Sequence, residues 1–302
     1  MRQNIPRQPI SYLVDLPEVS LQVTEWPGNS DPVLLLHATG FHSRCWDSIA
    51  RPLQDAHIYA VDARFHGGSD RNGPVNWKLM AGDIEQLLQR LDLHRIVGVG
   101  HSMGGFMAAF AAARQPHRFK QLLLIDPVIL APEQYEAGSN PSGSSNPEDN
   151  PVSRRKNSWQ SSEEMYQRFR DRAPFNTWQD QVLRDYCEYA LRNMPDESFM
   201  QLACDPLHEA SIYINHQGNE EIHQLLPRLD IPVTVMRARH DPDRVFDFSY
   251  SPTWPGLAAA LPQGRDLYLP ELSHFIPMED PDRVALEIRR MLETHEYDVV
   301  GR

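Results

Sequence analysis

The chain has 302 residues, of which 41% are hydrophobic, so it can form one large α/β domain with an inserted segment, or two small domains. Its formal net charge of -12 disfavours nucleic acid or an anionic membrane as the main partner, because both bind clustered basic residues. Nearly all of the positive charge is arginine, which argues against lysine-centred chemistry.

The first 125 residues predict strands that alternate with helices. Two short alternating runs, 11–16 and 19–26, meet at Pro17-Glu18 and indicate an antiparallel edge hairpin. The further predicted elements are, in chain order, a strand over 32–37 buried on both faces, a helix over about 44–54, a strand over 57–61, a helix over 76–91, a strand over 94–100, a helix over 103–113 and a strand over 119–125. This order implies a mostly parallel sheet with right-handed crossovers.

The pattern changes after residue 130. The stretch 138–153, GSNPSGSSNPEDNPVS, has almost no apolar residue and predicts a flexible loop. From 161 to about 226 the periodicity is wholly helical, and Ser161 with Glu164 forms a capping-box pattern at its start. Strands are then predicted over 231–236 and 265–269, and a last helix over 281–293. We therefore predict an α/β core over 1–130 and 230–302, with a helical cap inserted over 131–229.

The segment 97–110, VGVGHSMGGFMAAF, carries the strongest functional signal. Its residues 100–104 fit the GxSxG pattern, in which a serine sits on a sharp turn between a buried strand and a helix. Such a turn is strained and needs small neighbours, which accounts for Gly100, Gly104 and Gly105. The turn would present the Ser102 hydroxyl near the positive end of a helix dipole, so we predict a nucleophile there. The alternative is a glycine-rich helix start that merely packs closely against a strand.

A serine hydroxyl is a poor nucleophile at neutral pH, so Ser102 needs a base and a carboxylate that orients that base. The strongest candidate base is His274, which follows the last predicted strand and lies at the sheet edge where the serine emerges. Asp241 follows the preceding predicted strand, and we expect it to be the acid. Asp126, at the end of an earlier strand, is its rival, and Asp243 is a third candidate.

Acyl transfer also needs donors for the negative oxygen of the transition state. Backbone N–H groups serve this purpose and are commonly worth ~3 kcal/mol each. The amide of Met103, directly after the nucleophile, is expected to be one donor. The second is expected from the loop after the third strand, with Thr39 preferred and Phe41 in reserve.

The other titratable residues indicate neither a cofactor nor a metal. Asp205, His208, Glu209 and His216 match no HExxH helix and no Cys/His zinc site. The three cysteines form no CxxC pair and predict free, mostly buried thiols in a reducing compartment. The first residues lack the apolar core of a signal peptide, and no apolar run approaches the ~20 residues of a membrane span. We therefore expect a cytoplasmic protein, and the sequence leaves its oligomeric state open.

Taken together, these motifs resemble the serine esterase branch of the α/β-hydrolase fold enzymes. The matching segments are HATGFHSRCW (37–46), VDARFHGGSD (61–70), VGVGHSMGG (97–105), PVTVMRARHD (232–241) and SHFIPMEDP (273–281). The resemblance implies Ser102 as nucleophile, Asp241 as acid and His274 as base, with the amides of Thr39 and Met103 as the oxyanion hole. It also implies that the insertion is the variable cap of this family.

Three positions depart from the family pattern. Ala38, Phe65 and Ala238 stand where the family usually has glycine, and alanine resists positive φ, which bears on the path of the loop around Thr39. The serine itself separates this chain from the epoxide hydrolases and haloalkane dehalogenases of the same fold, which use an aspartate nucleophile. An alkyl-enzyme mechanism is therefore disfavoured.

The first functional hypothesis is a cofactor-free serine hydrolase that cleaves a small-molecule carboxylic ester through an acyl-enzyme. Its activity is expected to rise through about pH 6 to 8, because the histidine must be neutral to act as a base. A near alternative keeps the triad but cleaves a carbon–carbon bond in a diketone acid, or transfers the acyl group to peroxide or another acceptor. An anionic diketone acid would need an arginine in the pocket, for which Arg154, Arg155 and Arg192 are candidates. The remaining alternatives are a non-catalytic ligand-binding module and a scaffold that uses the acidic region 138–150.

Overall fold

A computed structural model of the chain describes residues 7–136 and 146–293, apart from residues 196, 217, 245 and 246. Its strands are β1 Ile10–Asp15, β2 Ser20–Trp26, β3 Pro32–Leu36, β4 His57–Val61, β5 Ile96–His101, β6 Phe119–Ile125, β7 Leu191–Asn193, β8 Met200–Leu202, β9 Val233–Ala238 and β10 Gly264–Leu269. Eight of them form one sheet in the order β1-β2-β4-β3-β5-β6-β9-β10. The β1–β2 hairpin is antiparallel and adds antiparallel to β4, whereas the other pairs of this sheet are parallel.

Helices cover both faces of the sheet. They are α1 Asp47–Ala50, α2 Trp77–Arg90, α3 Met103–Arg114, α4 Pro132–Glu136, α5 Ser162–Phe169, α6 Asp180–Tyr189, α7 Pro206–Ile214, α8 Ile222–Leu225, α9 Ile276–Glu279 and α10 Pro281–Glu293. Helices α2, α3 and α8 pack on one face, and α1 and α10 on the other. None of the described helices has both the length and the apolar character needed to cross a lipid bilayer.

Strand β3 shows why the sheet is buried on both faces. Successive side chains of a strand point to opposite faces, and those of β3 alternate between the two cores. Leu34 and Leu36 belong to the core beneath α2 and α3, whereas Val33 and Leu35 belong to the core beneath α1 and α10. The predicted mostly parallel sheet flanked by helices is therefore confirmed, including the edge hairpin.

The first predicted helix is shorter than expected. Residues Ser43–Trp46 form a 3-10 turn that leads into α1, and the helix ends at Ala50. Pro52 follows two residues later and has no N–H to donate to a carbonyl of the preceding turn, so the helical hydrogen bonding stops there. The prediction of a helix that continues to residue 54 is therefore wrong.

The segment between β6 and β9 contains a pair of strands. β7 and β8 form an antiparallel pair, and Trp159 extends it through a bridge to Met200, whose carbonyl accepts the Trp159 N–H at 2.9 Å. The prediction of a wholly helical segment is wrong here, because each of these strands has only three residues, too few to show an alternating pattern in the sequence. Residues 138–145 of the predicted loop lie outside the described residues, and Pro147–Asp149 and Pro151–Arg154 form short 3-10 turns. The division into a core and a cap domain stays a prediction.

Candidate active site

Ser102 lies on the turn between β5 and α3. Its backbone has φ 58° and ψ -119°, a conformation that a residue with a side chain rarely adopts. Neighbouring backbone groups hold the turn, since the Ser102 N–H donates to the carbonyl of Ile125 at 3.0 Å and its own carbonyl accepts the N–H of Gly105 at 3.0 Å. The strand before the turn and the helix after it therefore force the serine hydroxyl into a defined position.

The glycines of the motif allow the close packing that the turn requires. A Cβ atom on Gly100 would lie 2.2 Å from the carbonyl oxygen of Gly104, and a Cβ on Gly104 would lie 2.2 Å from the carbonyl oxygen of Leu36. Both distances are far shorter than van der Waals contact. The first turn of α3 therefore lies directly against the ends of β5 and β3, where only glycine fits.

His274 joins the serine to a carboxylate. Its Nε2 lies 3.0 Å from Oγ of Ser102, and its Nδ1 lies 2.7 Å from Oδ2 of Asp126. The three residues are buried, with 6%, 2% and 0% of the surfaces of Ser102, His274 and Asp126 exposed. With Nδ1–H donating to the carboxylate, Nε2 carries a lone pair toward the hydroxyl, and the arrangement can remove the hydroxyl proton.

The carboxylate that contacts His274 is that of Asp126, and the prediction of Asp241 is corrected here. Asp241 lies in the loop beyond β9, and its Oδ1 accepts the N–H of Asp243 at 3.0 Å within that loop. β6 lies between β5 and β9 in the sheet, so a residue at the end of β6 is one strand from the nucleophile, and one after β9 is two strands away. Asp243 is exposed, whereas the carboxylate paired with His274, that of Asp126, is buried.

Residues that the sequence reasoning missed hold the Asp126 carboxylate in place. Its Oδ1 accepts the backbone N–H of Ala238 at 3.1 Å and the hydroxyl of Ser251, and the Thr253 hydroxyl approaches it at 3.5 Å. These donors compensate for the loss of water around a buried carboxylate. The sequence signal for Asp126 was its position directly after a predicted strand.

A second histidine anchors the loop of His274. His101 donates from Nε2 to the carbonyl of His274 at 2.8 Å, and the N–H of His274 donates to the carbonyl of Phe248 at 3.2 Å. Burial lowers the pKa of His101 well below its ordinary value, so this side chain is a neutral donor. The position just before the serine is the only sequence signal for this role.

The side chains of the two residues that carry the predicted oxyanion donors are in contact. The Thr39 hydroxyl lies 3.5 Å from Sδ of Met103, and among the described residues no acceptor is bonded to the backbone N–H of either Thr39 or Met103. Both amides can therefore bind an oxygen of a ligand. The N–H of Phe41, the reserve choice, already donates to the carbonyl of Ala38 at 3.1 Å.

Two neutral histidines support the loop that carries Thr39. The N–H of Gly40 donates to Nε2 of His66 at 3.0 Å, whose Nδ1 is paired with the carbonyl of Arg64 at 2.9 Å. His37 accepts the N–H of Ala63 through Nε2 at 3.0 Å. Burial lowers the pKa of both imidazoles, which keeps each nitrogen in its acceptor or donor role.

A cleft of about 220 Å³ lies between this loop and the segment from β6 to β9, which we call the inserted segment, and we refer to this cleft as the aromatic cleft. Its wall is formed largely by rings from the loops and the inserted segment: Phe41, Phe169, Phe175, Trp178, Tyr186, Tyr213, Phe248 and Phe275. The charged residues of the wall are Arg155 and Glu209, and Nη1 of the arginine lies 2.7 and 2.5 Å from the two carboxylate oxygens. Nη2 of Arg155 also donates to the Tyr186 hydroxyl at 3.1 Å.

The structure gives no basis for a metal site in the residues it describes. Those residues contain no group of three or more histidine, cysteine, aspartate or glutamate side chains that could hold an ion. Glu209 pairs with Arg155, and Asp205 caps α7 through the N–H of Leu207 at 2.9 Å. The three cysteines are free and buried.

Comparison with known proteins agrees with this fold. An sn-1-specific diacylglycerol lipase of Danio rerio is 30% identical over 125 residues, which are 40% of this chain and 38% of that protein. The chain spans less than half the length of the curated relatives it matches.

Solved structures resemble the chain over nearly its whole length. An E-2-(acetamidomethylene)succinate hydrolase superposes with a TM-score of 0.76 at 19% identity, over 95% of this chain and 100% of that one. A thermophilic esterase from Thermogutta terrifontis superposes with a TM-score of 0.65 at 25% identity, over 94% of this chain and 98% of that one. The model of the alpha/beta hydrolase family matches residues 33–287. The chain therefore belongs to the α/β-hydrolase family.

Proposed function

We propose that this chain is a serine hydrolase that cleaves carboxylic esters through an acyl-enzyme, with Ser102 as nucleophile, His274 as base and Asp126 as the orienting carboxylate. The observation that carries the proposal is the continuous hydrogen-bonded series from the hydroxyl to the imidazole at 3.0 Å and from the imidazole to the carboxylate at 2.7 Å. A nucleophile and base within hydrogen-bonding reach, with the base oriented by a third group, is the geometry that activates a serine.

In the acylation step, Oγ of Ser102 forms a bond to the ester carbonyl carbon while Nε2 of His274 takes the hydroxyl proton. The imidazole becomes positively charged, and the buried carboxylate of Asp126 stabilises that charge. The carbonyl oxygen becomes negative, and the free N–H groups of Thr39 and Met103 donate to it. When the bond to the alcohol breaks, His274 returns the proton to the leaving oxygen.

In the deacylation step, water takes the place of the alcohol. His274 removes a proton from this water while its oxygen attacks the acyl carbon, and the same two amides stabilise the second negative oxygen. Collapse of this intermediate releases the acid and returns the proton to Oγ of Ser102. The reaction consumes one water for each ester and needs no group beyond the residues named here.

Names of similar proteins support an ester substrate. One curated relative is named a diacylglycerol lipase, and a structural neighbour at 25% identity is named an esterase. Both names describe hydrolysis of a carboxylic ester. The ester class proposed here rests on the Ser102–His274–Asp126 contacts and on the free N–H groups of Thr39 and Met103.

The carbon–carbon hydrolase alternative receives less support. Of the three candidate arginines, Arg155 lines the cleft, Arg154 is exposed and Arg192 lines a different cleft. The guanidinium of Arg155 is already bound by both carboxylate oxygens of Glu209, so an anionic diketone acid would have to displace that carboxylate. The cost of leaving a buried carboxylate unpaired disfavours this substrate.

The test combines active-site labelling with turnover. Native protein should react with a fluorophosphonate at Ser102, identified by mass spectrometry, and should hydrolyse p-nitrophenyl acetate with release of free acetate. Ser102→Ala should lose the labelling and nearly all of the turnover while its melting temperature stays close to native. Turnover that survives in Ser102→Ala, or native protein that is neither labelled nor active on any ester, would overturn the proposal.

A further inference from the structure

We propose that the aromatic cleft selects esters that carry a flat, uncharged aromatic ring. This inference rests on the proposed function and names its substrate class. The cleft adjoins the triad, because Phe248 and Phe275 line it and their ring centroids lie 5.7 and 5.9 Å from that of His274. Thr39, one of the two free amides, lines it as well. A group attached to the ester at the triad therefore extends into the cleft.

The rings of the wall contact each other in the geometry that aromatic groups prefer. The centroid of Phe41 lies 5.7 Å from that of Trp178, 5.4 Å from that of Tyr186 and 6.3 Å from that of Phe275, at tilts of 34° to 58°. Tilted and edge-to-face pairs at 4.5–7 Å gain free energy beyond the burial of their surface. A ring that enters the cleft meets several further faces and edges of this kind.

The remaining lining residues favour a ring over a long chain. Val152 and Pro174 are the aliphatic side chains of the lining, so an alkyl group would contact mainly ring surface without gaining the pairing of one ring with another. The volume of about 220 Å³ lies below the ~300–1,000 Å³ typical of drug-sized pockets, which suits a single small ring.

The charged residues in the wall of the aromatic cleft disfavour a charged group on the ligand. An aromatic cage can hold a quaternary ammonium, but such a cation needs a free carboxylate or at least no competing positive charge. In this wall Glu209 is bound at both oxygens by Arg155, which brings a positive charge of its own. The same pairing leaves no free cation for an acidic group. The wall is thus suited to a neutral ring.

The test compares esters that differ only in the aromaticity of one ring. Methyl phenylacetate and methyl cyclohexylacetate place the ring on the acyl side, and benzyl acetate and cyclohexylmethyl acetate place it on the alcohol side. After correction for the rate of alkaline hydrolysis of each ester, kcat/KM should favour the aromatic member by about 3- to 10-fold in at least one pair. The pair that shows the preference identifies the side of the ester that occupies the cleft.

Variants show whether the cleft causes the preference. Phe248 is 39% exposed, so Phe248→Leu should fold, and it should reduce the aromatic preference toward 1. Because Phe248 also packs against His274, the preference is taken as the ratio of kcat/KM within each pair of esters, in which a change in turnover common to both members cancels. Tyr268→Leu is the matched control, because Tyr268 is an exposed ring on β10 outside the cleft, and it should leave the preference unchanged. Melting temperatures check that both variants fold.

Three results would overturn the inference. They are a native ratio of 1 or less in both pairs, a ratio that Phe248→Leu leaves unchanged, and a higher kcat/KM for acetylcholine than for benzyl acetate. Each of these requires measurable ester turnover. If no ester is hydrolysed and the fluorophosphonate does not label Ser102, the proposed function itself has failed, and the two failures are thereby distinguished.

Discussion

Replacing Asp126 with asparagine tests the assignment on which the proposed mechanism depends. In the native protein one carboxylate oxygen accepts the Nδ1–H of His274, and the other accepts the N–H of Ala238 and the hydroxyl of Ser251. An asparagine that points its NH2 at His274 forces the proton of the imidazole onto Nε2, which then cannot accept the proton of Ser102. An asparagine flipped the other way points its NH2 at the N–H of Ala238, which is also a donor.

The expected loss of kcat follows from the wrong tautomer of the His274 imidazole. The same change in the triad of a serine protease lowers kcat by about 10⁴ while the geometry stays intact. At 1.36 kcal/mol for each factor of ten, this corresponds to about 5 kcal/mol of activation free energy. For Asp126→Asn we expect a loss of about 10³ to 10⁴ in kcat. Asp241→Asn is the matched control, because the Asp241 carboxylate accepts the N–H of Asp243 within an outer loop, a bond that the amide oxygen of asparagine can also accept, and we expect less than a threefold change.

The assay is steady-state hydrolysis of p-nitrophenyl acetate at saturating substrate, with the rate of fluorophosphonate labelling as a second readout. Labelling depends on the same activated hydroxyl, so it should slow in Asp126→Asn by a similar factor. Thermal unfolding of both variants checks that the loss is chemical. If Asp126→Asn retains more than a tenth of native kcat, or if Asp241→Asn loses a hundredfold, the assignment of the orienting carboxylate is refuted.

Three further predictions follow from the geometry. Thr39→Pro removes one oxyanion N–H and should lower kcat for p-nitrophenyl acetate by about 10² to 10³. Thr39→Val keeps that N–H, so its kcat should stay within threefold of the native value. Equal losses of kcat in the two variants would contradict the role of the amide. Gly82 lies in α2, and a Cβ added there would have nothing within 4 Å, so Gly82→Ala should raise the free energy of unfolding in urea by about 0.5–1 kcal/mol. Gly104→Ala should lower that free energy or prevent folding. A Gly104→Ala variant as stable as the native protein would contradict the packing at the turn. Burial lowers the pKa of His42 to about 4 from its ordinary 6.5. Between these two pH values His42 is protonated in the unfolded chain but neutral in the native chain, so a falling pH favours the unfolded chain. His42 should thus lower the free energy of unfolding by about 2 kcal/mol between pH 6.5 and 5, as measured by urea unfolding. His42→Gln should lose less stability over this pH range, whereas replacement of the exposed His117 should leave the loss as large as in the native protein.

Much of the candidate site could be predicted because its signals are local. The strand, the GxSxG turn and the helix follow each other within residues 96–114, and the glycines are required by contacts between near neighbours in the chain. His274 lies in a loop directly after β10, at the sheet edge that the order of strands and helices already defines. The amides of Thr39 and Met103 are placed by the same local rules.

The choice of acid could not be made in the same way. Asp126 and Asp241 both follow parallel strands, so both are expected at the same edge. The chain order of strands does not reveal that β6 is the neighbour of β5, nor that the loop with Ser251 and Thr253 returns to donate to Asp126. The contacts of Ser251 and Thr253 with Asp126 join segments more than a hundred residues apart, which no local pattern encodes.

In the inserted segment, too, the sequence predicts some features and not others. Its helices have an apolar face that gives a periodic pattern, and the sequence alone predicted them. The β7–β8 pair, its extension by Trp159, and the neutralisation of Arg155 by Glu209 appear only in the folded chain. The sequence by itself thus determined the fold class, the turn that carries Ser102 and the sheet edge at which His274 lies, because these follow from short-range periodicity and backbone sterics. Only the tertiary structure decided which carboxylate contacts His274 and the character of the cleft, because hydrogen bonds and ring contacts between distant segments exist only once the chain has packed.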